Sequence, residues 1–124
     1  MNAQEIDDFE QLQAQLQSLF QEIGTFAKKK PDDAVNKFKL KLTNTILNKA
    51  NTILANGRPF EDFSQFDDVD IPTNSDVIII LSQYLNCLEK LRSDNVTEIM
   101  GDWYWKIDEN LSSIPTAPPR KLKY

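Results

Sequence analysis

The chain has 124 residues, 40% of them hydrophobic and 27% charged, which suits one globular domain with a core of its own. Its net charge of −5 argues against a protein that binds nucleic acid over its whole surface. One cysteine, Cys87, excludes an intramolecular disulfide, and the lack of histidine excludes a Ser-His-Asp triad, a Cys-His pair and histidine-containing zinc sites. Glycine is rare, and leucine, glutamine, lysine and isoleucine are abundant, so the composition favours helices.

The sequence shows no targeting or membrane segment. The N-terminal residues Met-Asn-Ala-Gln-Glu-Ile-Asp-Asp lack the positive charge and the apolar run of a signal peptide. The longest apolar run, Val77 to Leu81, is far shorter than the ~20 residues that span a bilayer. We therefore expect a cytoplasmic protein that does not contact membranes.

Residues 3–27 form the first predicted helix. Its apolar residues recur in alternating steps of three and four, and glutamines and acids fill the other positions. The seam consists of Phe9, Leu12, Leu16, Leu19, Ile23 and Phe26. A seam this narrow fits one neighbouring helix of a bundle or a second copy in a coiled coil, and the pattern leaves both open.

Residues 32–56 form the second predicted helix, which Pro31 starts and the pair Asn56-Gly57 ends. The predicted apolar stripe is Val35, Phe38, Leu42, Ile46, Ala50 and Ile53, widened by Leu40, Leu47 and Leu54. Together these residues cover an arc of roughly 200°, which is wide enough to contact neighbours on two sides. We therefore expect this helix to be the central one.

The polar face of the second helix carries Lys37, Lys41, Asn44 and Asn48. Lysines neutralise phosphates, and asparagine amides hydrogen-bond to backbone or base edges, so this face supports a nucleic-acid-binding hypothesis. Lys39 falls inside the apolar arc instead. Three interpretations of Lys39 are open: its side chain extends past the helix start, it pairs with an acid of the first or fourth helix, or it lies in an interface.

Acidic and basic residues are concentrated in different segments of the chain. Residues 1–27 carry −5, residues 28–58 carry +6, and residues 59–124 carry −6. One interpretation is that these segments neutralise one another when they pack. The other is that the basic segment presents a face to phosphates or to an acidic partner.

A long irregular segment, about residues 57–74, follows the second helix. Phe60, Phe63 and Phe66 are spaced by three, which predicts either a loop packed across the core or an aromatic docking patch. Its run of aspartates resembles the start of a calcium loop, but the required glycine and final acid are missing. We predict no metal site here.

Residues 75–93 form the third predicted helix, capped by Ser75 or Asp76, because apolar residues keep a 3.6-residue period up to Leu91. Ile79 lies off that stripe, so we expect it to contact a partner or the phenylalanine loop.

Residues 95–112 form the fourth predicted helix, in which Glu98 stands at capping-box spacing from Asn95. Trp105 lies away from its apolar stripe and is a candidate for partner binding. Gly101 weakens this helix, and an extended segment over residues 103–105 is the alternative.

These patterns predict an all-α, single-domain bundle of four helices over residues 1–112, with a proline-rich basic tail that is extended at 113–124. We expect a non-catalytic protein-interaction module or small accessory subunit that binds a protein partner or itself. A nucleic-acid-binding accessory protein is the alternative. We predict no catalytic residue, cofactor or metal. The candidate partner-binding residues are Lys37, Lys39, Lys41, Asn44, Asn48, Ile79 and Trp105.

Overall fold

The computed structural model describes residues 1–120 and contains three long helices followed by a three-stranded antiparallel sheet. The helices are α1 (Ala3–Lys29), α2 (Lys37–Leu54) and α3 (Asn74–Asp94), and a 3-10 turn (Ala55–Gly57) follows α2. The strands are β1 (Val96–Ile99), β2 (Asp102–Ile107) and β3 (Asn110–Pro115). The fold is α+β, so the prediction of an all-α bundle of four helices is wrong.

α1 is the helix around which the others pack, because its contacts with α3 and with α2 are both more extensive than the contact between α2 and α3. It begins at a capping box, in which Asn2 Oδ1 accepts a hydrogen bond from the Glu5 N–H (2.8 Å) and Glu5 Oε1 accepts one from the Asn2 N–H (3.0 Å). Its buried residues are Ile6, Phe9, Leu12, Leu16, Leu19 and Ile23. Five of the six residues of the predicted seam are therefore covered within the chain, whereas Phe26 is 43% exposed. The coiled-coil prediction is wrong.

α2 is shorter than the predicted helix at 32–56. A backbone hydrogen bond from the Val35 N–H to the Pro72 carbonyl (2.9 Å) ties the segment before α2 to the segment before α3 and keeps it out of the helix. Asn36 then caps α2, because its side-chain oxygen accepts hydrogen bonds from the N–H groups of Phe38 (2.9 Å) and Lys39 (3.2 Å).

The buried face of α2 also differs from the predicted stripe. Its members are Leu40, Thr43, Leu47, Ala50 and Leu54. Phe38 and Leu42, which were expected in the core, are 68% and 41% exposed. α2 contacts α1 far more extensively than α3, so the prediction that α2 is the central helix is wrong.

α3 matches the prediction at 75–93 closely, but Thr73 caps it. Thr73 Oγ1 accepts a hydrogen bond from the Asp76 N–H (3.2 Å), and Asp76 Oδ2 accepts one from the Thr73 N–H (3.3 Å). In the preceding loop, Phe63 and Phe66 are partly buried against the core, and their rings meet edge to face at 5.0 Å.

A sheet replaces the predicted helix at 95–112. β2 lies between the other two strands, with Val96 opposite Trp105 and Ile107 opposite Asn110. Met100 and Gly101 join β1 to β2 with φ of 53° and 89°, and Asp108 and Glu109 join β2 to β3 with φ of 48° and 67°. Two successive residues with positive φ make the tight turns that suit the twist of a hairpin. The extended alternative for residues 103–105 is correct.

The chain after the sheet returns to the helices. Residues 113–115 belong to β3, and the Thr116 N–H then donates a hydrogen bond to the Trp103 carbonyl (3.0 Å). The Arg120 N–H donates to Glu89 Oε2 on α3 (3.1 Å). The rest of the predicted tail, residues 121–124, lies outside the described residues, and the division of the chain at residue 112 stays a prediction.

Candidate interaction surface

The exposed side of α2 carries an apolar pair among lysines. Phe38 and Leu42 are one helical turn apart, so their side chains are neighbours on the helix surface. Lys37 and Lys41 flank them and are exposed. We call these four residues the α2 ridge. Sequence reasoning placed its lysines at a binding site but assigned both apolar residues to the core.

The lysines of this region are not paired with carboxylates. In residues 1–120, no salt bridge involves any lysine between positions 28 and 49. The interpretation that packing neutralises the basic segment therefore fails at the level of direct ion pairs. This charge is left to act on molecules that approach α2.

Lys39 has an aromatic partner rather than an acidic one. Its Nζ lies 4.6 Å from the ring centroid of Phe26, at the C-terminal end of α1. A cation–π contact of this kind contributes about 0.5–1 kcal/mol at a partly exposed site. It also positions the Lys39 ammonium where α1 meets α2.

The asparagines predicted to read nucleic acid are occupied by the loop. Asn44 donates to the Phe66 carbonyl (3.0 Å) and accepts from the Phe66 N–H (2.9 Å). Asn48 donates to Gln65 Oε1 (2.9 Å). The side chains of Asn44 and Asn48 therefore anchor Phe66 and Gln65 of the loop.

The last two predicted partner-binding residues, Ile79 and Trp105, lie outside the α2 ridge. Ile79 is 59% exposed and borders a groove between α3 and the loop, together with Phe66 and Ile71. It therefore lies beside the phenylalanine loop, which was one of the two expectations for it. Trp105 is completely buried and packs edge to face on Phe9 at 5.2 Å. Trp105 is a core residue, and we do not include it in the interaction surface.

A second groove runs between α1 and α2, next to the α2 ridge. Leu12 and Gln15 line it from α1, and Lys49 and Ile53 line it from α2. We call this the α1–α2 groove. Leu12 and Ile53 are its apolar residues, and Asp8 and Lys49 are the charged residues that line it.

Two side chains with nucleophilic atoms, Cys87 and Tyr84, have raised pKa values. Burial raises the pKa of the Cys87 thiol, which disfavours its reactive thiolate form. Burial likewise raises the pKa of Tyr84, whose hydroxyl donates a hydrogen bond to Asn51 Oδ1 (2.6 Å). In residues 1–120, no three His, Cys, Asp or Glu side chains are grouped so that they could hold a metal ion.

Comparison of the chain with protein families, with curated protein sequences and with solved structures found no match. Among the residues that the structure describes, no helix has the length and apolar character needed to cross a membrane.

Proposed function

We propose that this protein is a non-catalytic interaction module, or a small accessory subunit, that binds another protein through the α2 ridge. One observation carries the proposal: Phe38 leaves 68% of its surface exposed at the centre of a basic helix face. Burying a phenylalanine or leucine side chain contributes about 1.5–3 kcal/mol, which makes this pair a suitable anchor for a partner. A helix that carries apolar anchors one turn apart is a common recognition element.

The same surface supports protein binding better than nucleic-acid binding. Asn44 and Asn48, the amides that were expected to contact bases, hold the loop instead. The net charge of −5 also repels a polyanion at long range.

A cytoplasmic location is part of the proposal. It is supported by the single cysteine, Cys87, which is free and partly buried. Tagging the chain and imaging it in cells tests this point separately from partner binding.

The α2 ridge is tested with the double variant Phe38→Ser/Leu42→Ser. Both side chains are exposed, so the variant should unfold with the stability of the wild type, while partner proteins captured from cells should be lost at least about tenfold. Quantitative mass spectrometry of the captured proteins measures this. Val69→Ser is the matched control, because Val69 is 87% exposed but lies in the loop. A set of captured proteins that is the same for both variants would refute the proposal.

A further inference from the structure

A line of residues along α2 has the spacing of a helix-packing seam. Lys39, Leu42, Ile46, Lys49 and Ile53 are separated by three, four, three and four residues, which is the a/d pattern of a heptad repeat. Leu42 is 41% exposed, and Ile46 and Ile53 are partly buried. This seam borders the buried face of α2, because Ile46 and Ile53 pack against the core and keep only part of their surface exposed.

The seam lies at the boundary with α1. Lys49 and Ile53 line the α1–α2 groove together with Leu12 and Gln15. At the other end, Lys39 contacts the ring of Phe26. From Lys39 to Ile53 the helix rises by about 21 Å, which a partner helix of about 15 residues would match.

The two lysines of the seam favour an acidic partner over a basic one. Lys39 and Lys49 occupy seam positions, and neither forms a salt bridge with residues 1–120. Asp8 lines the same end of the groove as Lys49, but it is not within salt-bridge distance. A second copy of α2 laid parallel and in register on this seam would bring lysines towards lysines, and so would a basic helix.

We infer that the α1–α2 groove and the seam bind an acidic amphipathic helix. Its aliphatic side chains pack on Leu42, Ile46 and Ile53, and its carboxylates lie opposite Lys39 and Lys49. Charged residues at seam positions fix register and exclude mismatched partners, so the lysines act as selectors. This inference rests on the proposed function and adds the chemistry of the partner.

The test uses two synthetic helical peptides of about 18 residues with leucines at the positions facing the seam. One has glutamates opposite Lys39 and Lys49, and the other has lysines there. The full chain should bind the glutamate peptide at least about tenfold more tightly in a calorimetric titration. That affinity should fall as salt is raised. In Lys39→Glu/Lys49→Glu the preference should reverse, whereas Lys28→Glu, outside the seam, should keep the wild-type preference.

Three results would overturn the inference. They are equal affinity for both peptides, no binding of either at about 1 mM, and tighter binding of a single-stranded oligonucleotide or of phosphatidylserine vesicles. Any of these could coexist with a captured protein that Phe38→Ser/Leu42→Ser loses. In that case the proposed function would stand and only the acidic helix would be rejected.

Discussion

Arg92 on α3 donates a hydrogen bond to Glu10 on α1 over 2.7 Å, and this ion pair joins the two helices to the sheet. The guanidinium lies 5.1 Å from the Phe9 ring centroid and 5.4 Å from that of Trp105. Trp105 Nε1 donates to the same Glu10 oxygen over 3.2 Å. One arginine thus connects α1, α3 and β2.

Replacing Arg92 with methionine should lower the free energy of unfolding by about 3 kcal/mol. Arg92 is 3% exposed, and its loss leaves the buried carboxylate of Glu89 with Arg120 as its only cationic neighbour among residues 1–120. Urea denaturation followed by circular dichroism measures the change. Glu10→Gln keeps an acceptor for Arg92 and Trp105, so it should cost only about 1 kcal/mol. Equal effects of the two variants would show that the arginine is not the central contact.

Truncating Trp105 to alanine should be among the most damaging changes in the chain. Its side chain is completely buried beside Phe9, and removing a buried tryptophan costs about 3–5 kcal/mol. Thermal unfolding compares it with Met100→Ala, which removes a side chain that is 99% exposed at a hairpin turn. The Met100 variant should stay within about 0.5 kcal/mol of the wild type. A Trp105 variant of nearly wild-type stability would contradict the packing described for β2.

Asn44 should control the order of the loop. Replacing it with alanine removes both hydrogen bonds to the Phe66 backbone and should destabilise the chain by about 2 kcal/mol. Amide hydrogen exchange around Phe66 should become faster. Asn48→Ala is the control, since it removes one exposed side-chain bond to Gln65 and should leave that exchange almost unchanged. If both variants left the exchange rate as it is, the loop would be held by its phenylalanines instead.

Stability should fall at alkaline pH because of Tyr84. Burial raises the folded-state pKa of Tyr84 above its ordinary value of 10.0. The stabilising contribution is therefore complete below pH 10.0, and it is lost as pH rises towards the folded-state pKa, because only the unfolded chain ionises easily. Tyr84→Phe should lose less stability than the wild type between about pH 8 and about pH 11. Cys87 is present in both proteins, and parallel pH curves would rule out this role for Tyr84.

The sequence predicted α1 and α3 well, because the spacing of their apolar residues fits a helix and does not fit a strand. Over the residues of α1, six apolar positions recur at helical spacing with polar residues between them, and a strand would scatter them over both faces. In α2 the same reasoning predicted four of the five buried residues, but it also included residues that are exposed. Its apolar residues cover too wide an arc for periodicity to choose one side, and Phe38 and Leu42 were therefore placed in the core.

The sheet was missed because its turn chemistry is unusual. Val96, Ile99, Trp103 and Ile107 happen to fit a helical period, whereas in the structure they belong to β1 and β2. Two-residue hairpin turns usually contain Asn-Gly or Asp-Gly, and these pairs are the sequence signal for such a turn. Here the second turn has Asp108-Glu109, without glycine. The alternation of Trp103, Trp105 and Ile107 on one face of β2 was the available signal.

The candidate site could be predicted only in part. Lys37 and Lys41 were identified because lysines on a helix face are visible in the sequence and lie exposed in the structure. The hydrogen bonds of Asn44 and Asn48 could not be predicted, because their partners lie in a loop that returns along α2 about 20 residues later. Contacts of this range leave no local pattern in the sequence.

The pairing of Trp105 with Glu10 spans 95 positions of the chain. During synthesis α1 is made first and β2 much later, so the Phe9 end of α1 has no cover from Trp105 while the intervening residues are added. Contacts of such separation form only after a large loop has closed. A nascent chain halted before β2 would lack the edge-to-face contact of Trp105 with the Phe9 ring.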